Sequence, residues 1–392
     1  MSDIVILSGV RTAIGTFGGS LAGTTPIELA KTVSEAAMAR AGVQPDQIGT
    51  TVFGHVINTE PRDMYLSRAA AIEAGVPDTV PAVNVNRLCG SGVQAIVSGA
   101  QSLMLGDADV ALVGGAECMS RSPFILQDAR WGAKMGDVRS KDMMLGALTC
   151  PFGTGHMGVT AENVAAEHGV TRADQDAFAL QSQERAAKAI TEGRFSEQIV
   201  PVSVRQRRQQ IDFAVDEHPK TTDVDTLAKL RPAFQKDGTV TAGNASGLND
   251  GAAALVLARA DAARDMGLTP RARILGYALA GVRPEVMGIG PVPACEALFA
   301  KTGLGADDLD VIESNEAFAA QAIAVSRALG LDSDRVNPNG GAIALGHPVG
   351  ATGAIIAVKA LAELERIGGR RGLITMCIGG GQGIALAIER IG

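Results

Sequence analysis

Residues 82–115, AVNVNRLCGSGVQAIVSGAQSLMLGDADVALVGG, decide the fold. Val83-Asn-Val-Asn86 alternates as a strand does, Gly90 and Gly92 punctuate a turn, and no Asp, Glu, Lys or Arg occurs from Leu88 to Gly106. A helix uncharged from end to end has to be covered all round. Past Gly106, Val110–Val113 is an apolar strand followed by the pair Gly114-Gly115. Strand, helix and strand in that order form a βαβ unit.

The same landmarks recur near the other end of the chain. An Ala-rich helix stops at Gly42, before Pro-Asp-Gln-Ile and a strand at Thr51–Phe53; its counterpart stops at Gly303, before Ala-Asp-Asp-Leu and Val311–Ile312. Val336-Asn-Pro-Asn339 matches Val83–Asn86, Leu373–Met376 matches Val110–Val113, and Gly379-Gly380 matches Gly114-Gly115. The outer thirds are copies of one pattern, which predicts two α/β halves with mainly parallel sheets and helices sandwiched between them. The middle third carries more charge, and Thr171-Arg-Ala-Asp174 opens a capped amphipathic helix reaching Ile190. The basic run Arg205–Arg208 behind it reads as a solvated face.

Composition narrows the function. With 46% hydrophobic and 20% charged residues, the 392-residue chain can bury a large core. A net charge of -7 argues against a nucleic-acid partner, which requires a basic footprint. The charge-free stretches Leu88–Gly106, Val336–Val358 and Gly372–Ile388 carry Ser, Asn, Gln or several Gly, so they are expected to be buried structure, not membrane spans. Five scattered cysteines without C-x-x-C encode neither a disulfide framework nor a metal site. Met1-Ser2-Asp3 runs directly into Ile4–Leu7 without a basic leader, so no secretory signal is expected and cytoplasmic residence follows.

The chemistry-bearing residues sit where strands of such folds present ligands, at the turn into the next element. Cys89, in Asn86-Arg-Leu-Cys-Gly-Ser-Gly92, stands at a helix start whose dipole and free N–H groups favour a thiolate; the competing reading is a small buried hydrophobe. His347, in Gly346-His-Pro-Val-Gly-Ala-Thr-Gly353, is either a general base or a hydrogen-bonded core histidine. Gly341 to Gly346 has phosphate-loop spacing, yet His347 and Pro348 stand where Lys and Ser or Thr are required. Cys377 precedes Ile-Gly-Gly-Gly-Gln-Gly383, where a strand, not a helix, follows, which argues against a dinucleotide site. Asn315 either serves an oxyanion or caps the next helix. Cys118, Cys150 and Cys295 read as packing thiols, and Met143, Met144 and Met157 as acyl-pocket lining or gap-fillers.

Taken together, Asn86–Gly92, Asn315-Glu-Ala-Phe318, Gly346-His-Pro-Val-Gly350, Cys377-Ile-Gly-Gly-Gly381 and Thr241-Ala-Gly-Asn-Ala-Ser-Gly-Leu-Asn-Asp250 resemble the thiolase family, from about Val5 to Glu389. Gly9–Ser20, Thr59–Leu66 and Asp142–Leu148 are similar to the biosynthetic β-ketothiolases of polyhydroxyalkanoate-making bacteria. The resemblance implies a five-layer αβαβα fold of two duplicated βαβαβαββ halves. The expected boundaries are 1–120 completed by 250–270, a coenzyme A-binding loop domain at 121–249, and 271–392. It further implies a cytoplasmic homotetramer that condenses two acetyl-CoA reversibly, with coenzyme A as substrate or product and no cofactor or metal. In that scheme Cys89 carries the acetyl group, His347 takes its proton, and Cys377 removes the α-proton of the second acetyl-CoA. His347 with a water held by Asn315 serves one oxyanion, and the N–H groups of Cys89 and Gly379 serve the other. Coenzyme A would meet His156, Met157, Ser246 and Lys220, the last standing where some relatives carry Arg. Ser314 replaces the usual Ala before the Asn-Glu-Ala-Phe motif, with no functional effect expected. The alternatives are a broad-chain degradative thiolase, a decarboxylating β-ketoacyl synthase, whose second proton-handling group is His, and a non-catalytic acyl-CoA binder.

Overall fold

The computed structural model describes residues 3–206 and 209–391; Arg207 and Arg208 of the basic run lie outside the described residues. The N-terminal half contains β1 (Ile4–Thr12), α1 (Pro26–Ala41), β2 (Thr50–Gly54), β3 (Ala82–Val85), α2 (Ser91–Leu105) and β4 (Val110–Cys118). The chain then passes through α3 (Met157–Glu167) and α4 (Arg172–Thr191) before β5 (Asn249–Arg259) returns to the sheet. The second half consists of β6 (Ala272–Gly281), α5 (Pro291–Thr302), β7 (Val311–Ser314), α6 (Ala319–Leu329), α7 (Thr352–Ile367), β8 (Arg371–Ile378) and β9 (Gln382–Arg390).

Strand order bears out the duplication. The strands run β3-β2-β4-β5-β1 and then β6-β9-β8-β7, meeting only where Val5 and Ile6 oppose Arg273 and Ala272. Beyond β7, Val336 makes a single parallel bridge to Ile312, so it occupies the place that β3 has in the first half. Glycine ends matching helices for one reason: Gly42 after α1 and Gly303 after α5 both adopt the left-handed conformation. Thr171 caps α4 through a reciprocal bond with Asp174, as its sequence predicts.

The sheets are mixed, which corrects the expectation of mainly parallel pairing. Among the strands named above, β2–β3, β2–β4 and β7–β8 are parallel, and the end of β1 adds a two-residue parallel pairing with Ile199-Val200. The last strands of each half turn back: β8 meets β9 across Gly379–Gly381, too short a link for a parallel crossover, and β5 lies antiparallel to β4 and β1.

Between the two sheets, α2 and α7 cross at glycine. A Cβ on Gly92 would lie 2.4 Å from the Ala354 nitrogen, and one on Gly353 equally close to that of Val93. With α1 and α5 outside, five layers result. The apolar 88–105 segment is long enough to cross a membrane, yet Val93, Ile96, Val97 and Leu103 are buried inside these layers.

The segment between β4 and β5 is fastened to β1 by a buried ion pair. Arg11 donates to both carboxylate oxygens of Asp216 at 2.7 and 2.9 Å and to Gln198 at 2.8 Å, and its guanidinium lies 4.9 Å over the Phe195 ring. Asp216 also accepts the Ile14 N–H at 2.8 Å. Removing one partner strands the other charge in the interior. Asp216→Ala is therefore expected to cost about 3–5 kcal/mol in denaturant melts, while an apolar replacement of both residues recovers much of that loss.

Candidate active site

Cys89 stands on a sharp turn made by its neighbours. Leu88 is held at φ 45°, a left-handed conformation a branched side chain resists. Its N–H donates to Asn86 Oδ1 at 3.0 Å, while Ser91 Oγ accepts from the Arg87 N–H and donates to the Leu88 carbonyl. The strain is local and fully braced. The Cys89 sulfur accepts from the Gly379 N–H, which belongs to the other half. Burial nevertheless pushes the thiol up to about 11, and the charge of Glu117 adds to it. This overturns the expected thiolate preference: α2 begins only at Ser91, and desolvation outweighs the N–H groups. At rest Cys89 is a thiol.

His347 is fixed from both sides. Its N–H donates to Asn249 Oδ1 at 2.9 Å, and Gly346 has no room for a Cβ, which would meet the Asn249 amide at 2.4 Å. Thr352 Oγ1 donates to the Pro348 carbonyl at 2.9 Å and lies 2.7 Å from His347 Nδ1, so it accepts the Nδ1 proton. Nε2 is then the free base, 3.5 Å from the Asn315 amide. Burial lowers the imidazole to about 4. The sign follows directly. His347 stays neutral when folded but charges below its usual 6.5 when unfolded, so its contribution to stability is complete above 6.5 and fades as pH falls toward 4. The acid limb of kcat/KM set by His347 is expected near pH 4, checked by a pH–rate profile. Thr352→Val leaves Nδ1–H without its acceptor and is expected to lower kcat about 10- to 100-fold, with KM little changed.

Cys377 is fully buried near the end of β8, close enough to Cys89 that a charge on that sulfur opposes its own ionisation. Burial and Cys89 together hold its pKa well above the usual thiol range. Asn315 follows β7, its N–H donating to the Thr375 carbonyl at 3.0 Å and its Oδ1 buried without a protein partner among the described residues. Glu316 anchors that segment, accepting from Ser182, Asn337 and the Ile343 N–H. The Ser314 hydroxyl is buried on the opposite face of the strand, likewise unpartnered among the described residues.

A cavity of about 380 Å³ joins these elements. Cys89, His347 and Gly379 line it, together with His156, Met157, Lys220 and Ser246. Asn315 reaches this lining through His347, and Cys377 packs in one cluster with the lining residues Met157 and Phe318 without itself lining the cavity. His156 accepts the Gly158 N–H on Nδ1 and stacks on Phe234 at 4.7 Å, leaving Nε2–H free to donate. Lys220 is exposed at the mouth, where it helps burial lower His218 to about 4. Met143 and Met144 do not line the cavity, whereas Met287, Val56 and Leu148 do. Of the remaining thiols, Cys118 and Cys295 are buried and shifted up by burial. Cys150 differs: burial raises it, but hydrogen bonds from Thr154 and the Phe152 backbone bring it below the usual value. Among the described residues no cluster of His, Cys, Asp or Glu could hold a metal ion.

Sequence reasoning missed Asn249, Thr352 and Glu117. Asn249 lay in a quoted motif and Thr352 five residues past His347, but only the packed halves reveal their partners.

A duplicated five-layer α/β scaffold with a cysteine and a neutral imidazole lining one apolar cleft is the setting of an acyltransferase. Family models described as thiolase, N-terminal domain, and thiolase, C-terminal domain, match residues 4–261 and 268–390. The chain belongs to the thiolase family. It is 59% identical over 391 residues to Beta-ketothiolase BktB of Cupriavidus necator, covering 99% of both chains. The crystal structure of the Bacillus anthracis acetyl-CoA acetyltransferase superposes with a TM-score of 0.97 at 46% identity, covering 100% of this chain and 99% of that one. Human mitochondrial 3-ketoacyl-CoA thiolase in complex with CoA gives 0.96 at 42% identity, with 100% and 98% covered.

Proposed function

We propose that this chain is an acetyl-CoA C-acetyltransferase, catalysing the reversible Claisen condensation of two acetyl-CoA to a 3-ketoacyl-CoA and free coenzyme A. The observation that carries the reading is the joint presence of Cys89, a neutral His347 and the Gly379 N–H around one cavity, with Cys377 packed against its lining. His347 Nε2 takes the Cys89 proton as the sulfur attacks the thioester carbonyl, and the N–H groups of Cys89 and Gly379 receive the developing oxyanion. Coenzyme A departs as a thiolate and needs a proton. Cys377 supplies it and becomes a thiolate itself, strongly basic because its site disfavours charge.

That thiolate then removes the α-proton of the second acetyl-CoA, whose enolate oxygen is met by His347 and a water on Asn315. The carbanion attacks the acetyl group, Cys89 leaves as thiolate, and His347 returns its proton. Every proton borrowed is repaid within one cycle. His156, Met157 and Ser246 flank the thioester arm, and Lys220 at the mouth faces the nucleotide end.

We further take the enzyme to be a cytoplasmic homotetramer without a cofactor. Exposed Phe124, Trp131 and Met135 between β4 and α3 support burial against other copies, which sedimentation would test. Incubation with acetyl-CoA should place one acetyl group on Cys89, located by peptide mass spectrometry; acetylation elsewhere or none refutes the scheme. Relative thiolysis rates on four-carbon, five-carbon and longer 3-ketoacyl-CoA separate this reading from a broad degradative enzyme.

A further inference from the structure

Glu117 lies in β4, fully buried, and has no part in the chemistry above. Its Oε2 accepts the Val56 N–H at 3.0 Å and the Gly350 N–H at 2.9 Å, and its Oε1 accepts the Ile57 N–H at 3.1 Å. Val56 and Ile57 follow β2 in the N-terminal half, and Val56 lines the cavity with Cys89. Gly350 belongs to the other half, between His347 and the Thr352 that fixes its ring. One carboxylate therefore ties the nucleophile's wall to the imidazole's loop.

The fit leaves no slack. A Cβ on Gly350 would come within 2.5 Å of the Glu117 carboxylate, and one on Gly115 within 2.4 Å of the Gly350 carbonyl. Gly114 and Gly115, expected to follow their strand, lie inside it: Gly115, without a side chain, lets the His347 loop settle onto the sheet, while Gly114 clears the Ala253 carbonyl and the Phe53 ring. The ionisable groups facing Glu117 are His55, whose Nδ1 is 3.5 Å from Oε1 and also bonds the Ala116 carbonyl, Asp63 beyond that ring at 3.9 Å, Cys118 and Cys89.

We propose that Glu117 is a positioning residue: its carboxylate sets the register of the His347 loop against the wall bearing Cys89, and its negative charge adds to burial in opposing the Cys89 thiolate. The proposal rests on Cys89 and His347 being nucleophile and base. A carboxylate offers two acceptor oxygens and no donor, so it satisfies all three N–H groups. Glutamine has one oxygen and turns an NH₂ toward a donor. Glu117→Gln therefore disturbs the loop and removes the charge together, whereas Glu117→Asp keeps the charge and shortens the reach.

The experiment measures turnover and the pH profile of Cys89 alkylation by iodoacetamide, read at the Cys89 peptide. Glu117→Gln is expected to lose roughly 100-fold in kcat with little change in KM, as for a small misplacement of reacting groups, and to shift the midpoint of Cys89 alkylation to lower pH, since a like charge has gone. Glu117→Asp is expected to lose less turnover and to keep the wild-type midpoint. A merely structural residue would lower turnover in both and move the midpoint in neither, and that result overturns the proposal, as does wild-type kcat in both. Should Glu117→Gln fail to fold, Glu117→Met, equally uncharged, takes its place: reduced kcat with a lowered alkylation midpoint supports the proposal, and an unmoved midpoint overturns it. Cys89→Ser and His347→Asn run alongside. If they retain turnover, the underlying assignment has failed; if they are inactive while Glu117→Gln matches wild type, only the role of Glu117 has.

Discussion

Cys89→Ser is expected to lower kcat for 3-ketoacyl-CoA thiolysis by about 10⁴–10⁶-fold, the range seen when a covalent nucleophile is removed. Burial holds the Cys89 thiol near 11 and His347 near 4, so transfer of the proton is already uphill at neutral pH. It remains possible because sulfur ionises during attack while the Gly379 N–H supports the charge. A serine hydroxyl is a far weaker acid, and the same neutral imidazole has no means of activating it. The acyl group would also be trapped, since an oxygen ester surrenders its alkoxide less readily than a thioester its thiolate. Continuous absorbance assays of ketoacyl-CoA consumption give kcat, and turnover within tenfold of wild type would refute the nucleophile's identity.

The second large effect divides the reaction in two. Cys377→Gly should still acquire an acetyl group on Cys89, slowly, while condensation falls by about 10³–10⁴-fold, the scale of a lost general acid–base group. The first half-reaction needs Cys377 only to protonate a departing thiolate, and a thiolate is an able leaving group without help. Carbon–carbon bond formation has no such substitute, because the α-proton must pass to a base held beside the acetyl group, and Cys377 is the buried sulfur coupled to Cys89. Acetyl labelling with condensation intact would refute the assignment, as would loss of both steps in a folded variant.

Much of this was legible before the structure. Gly42 and Gly303, the two Asn-rich segments and the matched glycine turns marked a duplication because backbone requirements leave local traces. Cys89, His347 and Gly379 could be singled out because each stands beside a glycine in a turn. Three features were not legible. Thr352, Asn249 and Glu117 act through bonds between elements 5 to 233 residues apart, so spacing carries no sign of them. The Cys89 thiol was expected to ionise readily because the helix start was visible and the burial was not. Antiparallel pairing depends on how the last strand of each half turns back, which a strand's own residues do not specify.

The position of β1 has a cost that falls during synthesis. This wholly buried, mostly apolar strand leaves the ribosome long before the strands that flank it along its length, which begin at Asn249 and Ala272. At roughly 5–20 residues per second, it waits on the order of 12–50 s for them. Throughout that interval a sticky segment stays uncovered on the growing chain, so newborn copies are at their greatest risk of clumping long before the catalytic thiols exist together.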